Sequence, residues 1–166
     1  MKTKAQVWGL DVMTGFAMFL VAMLVFFIYA LNNSEESTET FELLTYDGES
    51  IADNLISEGY PKNWQTTNVQ FIGLTTNNKI NQSKLEELYK MIYTDGDYAK
   101  TKGKFNTIYD YYFFFEENMT INSNSIEGIG KPGISKNNIS AKNLIKITRL
   151  TIYQNKTMPL YIYTWE

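Results

Sequence analysis

A run of twenty uncharged residues near the N-terminus, residues 12–31, constrains the fold more than any other feature of this chain. Its sequence is VMTGFAMFLVAMLVFFIYAL. A helix rises about 1.5 Å per residue, so a helix of this length spans roughly 30 Å, the thickness of the hydrocarbon core of a bilayer. Because such a helix has no polar face for water, we predict that it spans a membrane.

The charges that flank this run predict its orientation. Lys2 and Lys4 precede it, and the polar, acidic residues 32–36 follow it. Basic residues stay on the cytoplasmic side, so we predict a single-pass protein of the cell membrane with a cytoplasmic N-terminus and an extracellular C-terminal domain. A cleaved secretory signal would have a shorter apolar region and a small-residue cleavage site, which residues 30–32 do not provide.

Composition disfavours several classes of function. The chain contains no cysteine and no histidine, so it has no thiol nucleophile and lacks the commonest metal ligand and general base. Its carboxylates are clustered along the sequence, which does not place two of them across a cleft as glycosidases require. The net charge of −3 offers no basic surface for nucleic acid. We therefore expect no enzyme activity, cofactor, metal, nucleic acid or small-molecule substrate.

Five Asn-x-Ser/Thr tripeptides follow the apolar run and are candidate N-glycosylation sites. They begin at Asn32, Asn81, Asn118, Asn138 and Asn155. A chain this rich in Asn, Ser and Thr also forms such tripeptides by chance, so both interpretations stay open.

Residues 32–60 continue in a helical pattern. Apolar or small residues recur at spacings of three and four, which predicts an amphipathic helix. They are Phe41, Leu44, Gly48, Ile51 and Leu55. Gly59 and Pro61 then predict its end.

The remaining residues, 61–166, predict an α+β domain. We expect strands at 68–74 and 107–116, a helix near 82–93 that starts with a capping box at Ser83, a hairpin of 143–153 with 158–165, and a mobile or interacting loop at 117–142. The long helix would then pack on a small antiparallel sheet of about three or four strands, accompanied by two short helices.

Two stretches carry a resemblance to a known family. Lys4-Ala5-Gln6-Val7 is followed by an acid, Asp11, and then by the apolar run. Further on, GYPKNW, NVQFIGLTTNNKIN and KL begin the distal domain from residue 59. Together they resemble archaeal type IV pilin-like membrane proteins, whose precursors have a class III signal peptide.

The resemblance implies a pilin-like fold and specific partners. A prepilin peptidase would cut between Ala5 and Gln6, so that residues 1–11 include a leader-like segment. The new terminal amine would pair with Asp11 of a neighbouring, identical or related subunit, and the bilayer would hold the helix before assembly. The expected function is a structural subunit or minor pilin. The alternative is a membrane-anchored binding or adhesion module that does not polymerise.

Overall fold

The computed structural model of this chain describes residues 3–34 and 36–166, with the side chains of residues 3–7, 32–34 and 36–38 excepted. The chain divides into two compact units, Met1–Thr40 and Phe41–Glu166. We call the second unit the head. The α+β class, the long apolar N-terminal helix and a largely antiparallel sheet are confirmed.

The helices and strands follow one another in a simple order. They are α1 (Thr3–Ser34), α2 (Glu36–Leu55), β1 (Thr75–Thr76), β2 (Lys79–Ile80), α3 (Gln82–Tyr89), α4 (Tyr98–Phe105), β3 (Asp110–Phe115), β4 (Met119–Ile121), β5 (Asn124–Ile126), β6 (Ile129–Gly130), β7 (Leu144–Tyr153) and β8 (Lys156–Trp165). A π-helical turn, Lys90–Thr94, connects α3 to the turn before α4.

The main sheet has six strands in the order β1-β2-β7-β8-β3-β6, and β4 and β5 form a separate hairpin. The prediction of three or four antiparallel strands was therefore too small, and β2 pairs in parallel with β7 through Lys79 and Ile152. The missed strands β1, β2 and β6 have two residues each, which is too short for an alternating pattern to show.

The β7–β8 hairpin follows its sequence closely. Gln154 and Asn155 form a two-residue turn with φ of 50° and 64°, the left-handed values that a type I′ turn requires. β7 ends at Tyr153 and β8 begins at Lys156, so the connection of residues 154–157 implied by the predicted strands was two residues too long. The side chains of β8 alternate between two faces: Leu160 and Ile162 are buried in the main core, and Tyr161, Tyr163 and Trp165 belong to a second cluster on the outer face of the sheet.

Helix α2 covers the inner face of the sheet. Leu44, Ile51 and Leu55 are fully buried, as their spacing predicts. Gly48 allows the close approach, because a Cβ there would lie 2.7 Å from Thr164 Oγ1. Phe41 departs from the predicted stripe and is 55% exposed.

Three local predictions were wrong. Residues 68–74 form one isolated bridge, between Tyr60 and Phe71, because this segment winds back on itself to bury Val69 and Ile72. Helix α3 is capped by Asn81, whose Oδ1 accepts from Ser83 N, and the capping box at Ser83 is absent.

The third concerns residues 117–142, which do not form one long loop, while their predicted interaction with a partner stays a prediction. They contain the β4–β5 hairpin and β6, and their last part lies over the outer face of the sheet. There Ile134 and Ile139 pack against Tyr112, Phe114 and Trp165. The part of the outer face that β3 and β8 form is therefore aromatic and covered, which keeps these aromatic side chains away from water.

Candidate functional site

Helix α1 presents the clearest functional feature. Within its segment Trp8–Leu31, an 18-residue stretch has a mean hydropathy of 2.4, and none of that stretch is buried within the chain. A long, largely apolar helix of which no residue is buried within the chain matches the length and chemistry of a membrane span. The predicted single-pass span is thus supported by length and composition, and its orientation stays a prediction.

Asp11 is the single charged residue between Trp8 and Leu31, and its side chain is exposed. The neighbouring turn holds Thr14, whose hydroxyl donates to Leu10 O at 2.9 Å. Ala5 and Gln6 fall within the bounds of α1, and their side chains lie outside the described part of the chain. The pairing of Asp11 with an amine and the cleavage after Ala5 therefore stay predictions.

The structure distinguishes the predicted glycosylation sites. Asn81 is engaged at both ends: its Oδ1 caps α3 through Ser83 N and Lys84 N, and its Nδ2 donates to Thr76 Oγ1 at 3.0 Å. A glycan would be attached through Nδ2, beside the cap and the contact with Thr76, so a modified Asn81 would crowd both.

The other described sites are exposed. Asn118 Nδ2 donates to Ser125 Oγ, Asn138 Oδ1 accepts from Ser135 N, and Asn155 lies at the tip of the β7–β8 turn. These three positions have room for a glycan on the surface of the head. The side chain of Asn32 lies outside the described residues.

Charged groups meet around Asp110, at the start of β3. Lys131 Nζ lies 2.5 Å from Asp110 Oδ2, and Lys102 Nζ lies 3.3 Å from Oδ1. The Tyr98 hydroxyl donates to Oδ1 at 3.3 Å. Burial raises the pKa of Asp110, but the two lysines together outweigh burial, and the net pKa lies below its usual value.

Replacing Asp110 with asparagine is expected to remove stability at neutral pH and to leave a smaller difference between pH 7 and pH 3. The folded-state pKa of Asp110 is below the unfolded value, so its contribution is present above the unfolded pKa and is lost as the pH falls through the folded pKa. Urea unfolding at both pH values measures this. Asp95→Asn, on an exposed turn, is the control, and equal losses in both variants would contradict the assignment.

Within the described residues, no three or more Asp, Glu, His or Cys side chains are grouped so as to hold a metal ion. Several acids of the head each have a separate partner. Glu87 Oε2 accepts from Thr66 N at 2.9 Å, Asp53 pairs with Arg149 at 3.1 Å, and Glu117 pairs with Lys156 at 3.0 Å. Each of these contacts links two segments within the head.

Two aromatic side chains are exposed in the segment that follows α2. Tyr60 and Phe71 are 56% and 59% exposed, and Tyr60 N donates to Phe71 O at 2.9 Å. The backbone that carries them is held by a buried hydrogen bond, in which Trp64 Nε1 donates to Gly73 O at 2.7 Å. We call residues 57–75 the apical segment. It displays two rings on a fixed backbone.

Comparisons with models of protein families, with curated proteins and with solved structures found no match to this chain.

Proposed function

We propose that this protein is a pilin-like structural subunit or minor pilin, displayed on an archaeal cell surface and held by one membrane span before assembly. The observation that carries the proposal is the contrast between two consecutive helices. No residue of Trp8–Leu31 in α1 is buried within the chain, whereas α2 contributes buried side chains to the core of the head. A protein built in this way exposes an apolar helix that lipid or other copies of the same helix can cover.

Asp11 is the second support for assembly. A charge within an apolar helix is costly in a membrane, and such residues usually pair with another group. Among the described residues, none forms a hydrogen bond or ion pair with the Asp11 side chain. An amine from a neighbouring subunit, created by a prepilin peptidase between Ala5 and Gln6, would supply that partner and set the register of a filament.

Asp11→Ala, with Gln6 left intact, tests the proposal. We expect filament yield to fall strongly while the protein still inserts into the membrane, and Asp11→Glu to restore part of the yield. Glu42→Ala is the matched control, because Glu42 is an exposed acid on α2 outside the apolar run. An unchanged filament yield in Asp11→Ala would overturn the role of Asp11 in assembly.

The alternative function is a membrane-anchored binding or adhesion module that does not polymerise. The observation that favours it is the exposed pair Tyr60 and Phe71 in the apical segment. Aromatic side chains exposed on a fixed backbone are common at binding surfaces. Loss of cell adhesion in Phe71→Ala, with residues 1–5 still present and no filament formed, would favour this alternative.

A further inference from the structure

Strand β7 has one edge without a partner strand. On one side it pairs with β8 along its whole length, from Leu144 to Tyr153. On the other side, among the described strands, only β2 pairs with it, at Ile152. The edge along residues 144–150 therefore presents backbone donors and acceptors without a strand to bind them, which is a ready template for another strand.

This edge is open and borders a groove. Residues 144–149 form one wall of a cavity of about 520 Å³, and Phe41, Thr45 and Glu49 of α2 contribute to the other wall. Phe41, on this wall, is 55% exposed. A strand added to β7 would cover an apolar ring as well as the backbone edge.

The edge of β7 has few of the usual protections of an edge strand. Natural edges are protected by Pro, by bulges or by charges that face the edge. The pairing of β7 with β8 runs without a bulge, and β7 contains no Pro. Lys146 Nζ lies over the ring of Tyr161 on β8, 4.2 Å from its centroid, and Arg149 is tied to Asp53 of α2. Arg149 is therefore neutralised by Asp53, whereas Lys146 keeps its charge on the outer face beside the edge and limits which registers are possible.

The side chains of β7 alternate between the two faces of the sheet. Ile145 and Ile147 are buried, whereas the outer face carries Leu144, Lys146, Thr148 and Leu150, all of them exposed. Leu150 is 74% exposed and Leu144 is 42% exposed. Two large apolar side chains thus mark the two ends of the free edge.

We propose that β7 pairs with β7 of a second copy of this chain, antiparallel and centred on Ile147. A two-fold axis through the sheet keeps each face of one copy continuous with the same face of the other. In this register, Leu144 lies opposite Leu150 of the second copy, and Lys146 lies opposite Thr148. Both exposed leucines then gain an apolar neighbour, and this occurs twice by symmetry.

Other registers of this strand pairing create less favourable contacts. A shift that centres the pairing on Lys146 places two like charges directly opposite each other, which is destabilising. A shift that centres it on Thr148 brings Leu144 opposite Ile152, where β2 already pairs. The register centred on Ile147 uses the whole free edge and avoids both conflicts.

Cross-linking tests the pairing without ambiguity, because the natural chain contains no cysteine. Leu144→Cys and Leu150→Cys are prepared as separate full-length proteins in detergent and are then mixed and oxidised. Opposite residues of paired strands lie about 5 Å apart, within disulfide reach, whereas identical residues of the two copies would be about 20 Å apart. We expect a disulfide-linked dimer in the mixture only. No dimer in the mixture, or equal dimer from each variant alone, would overturn the proposal.

A charge substitution provides an independent test in the full-length protein. Thr148→Lys places a lysine opposite Lys146 of the second copy, twice per dimer, and is expected to weaken self-association roughly tenfold. Thr157→Lys is the matched control, because Thr157 is an exposed threonine on the outer face of β8, next to the paired edge of β7. Sedimentation measures both. Equal dissociation constants for the two variants would contradict the pairing.

Discussion

Replacing Lys84 with methionine is expected to lower the free energy of unfolding of the head by about 3 kcal/mol. Lys84 is only 4% exposed, and its Nζ donates to Glu58 O and to Thr75 O, each at 2.7 Å. Burial lowers the pKa of Lys84, and the nearby Glu58 opposes that shift. Methionine has a similar length but cannot donate, so the variant would leave two carbonyl groups near the core without their partner.

The measurement is urea unfolding of the full chain in detergent, followed by near-ultraviolet circular dichroism. Lys90→Met is the control, because Lys90 lies in the same helical run and is exposed. It should change the free energy of unfolding by less than about 0.5 kcal/mol. Equal midpoints for Lys84→Met and the natural protein would contradict the role of Lys84.

The second large effect is expected at Gly73, in the apical segment. A Cβ on Gly73 would overlap Gly59 N and would lie 2.5 Å from Ser57 Oγ, so the backbone itself would have to move. Gly59 has a φ of 69°, which a side chain rarely adopts, and so it cannot readily adjust. We expect Gly73→Ala to lower the free energy of unfolding by about 3 kcal/mol and to disorder Phe71.

Gly103→Ala is the matched control and should have the opposite sign. Gly103 is exposed within α4, and a Cβ there would meet nothing within 4 Å. Alanine in a helix is more favourable than glycine by about 0.5–1 kcal/mol, so this variant should unfold at higher urea. A Gly73→Ala protein as stable as the natural one would show that the two segments do not pack as described.

The sequence predicted those helices and strands whose own residues carry a clear hydrophobic or aromatic pattern. The apolar α1, the aromatic strand β3 and the β7–β8 hairpin each carry a continuous pattern over many residues. The apical segment and residues 117–142 carry none, because their order comes from contacts with distant residues. Ile134 and Ile139, for example, have their place only because β3 and β8 present an aromatic outer face.

The same limit applies to the candidate functional residues and to the buried Lys84. Asp11 and the Asn-x-Ser/Thr tripeptides could be found by inspection, because each is a short motif. The role of Lys84 could not be predicted, because a lysine on an amphipathic helix is expected to be exposed. Its two acceptors come from outside α3. The free edge of β7 also has no local signal, since it depends on how far β2 reaches along that strand.

The central claim is that α1 both holds the protein in the membrane and, after processing, enters a filament. Intact mass and N-terminal sequencing of the protein, purified from its own membranes, test this most directly. We predict a terminus at Gln6, which would match cleavage by a prepilin peptidase and create the amine that Asp11 of a neighbouring subunit would bind. An intact Met1 or Lys2 would contradict the claim and leave a signal-anchored surface protein.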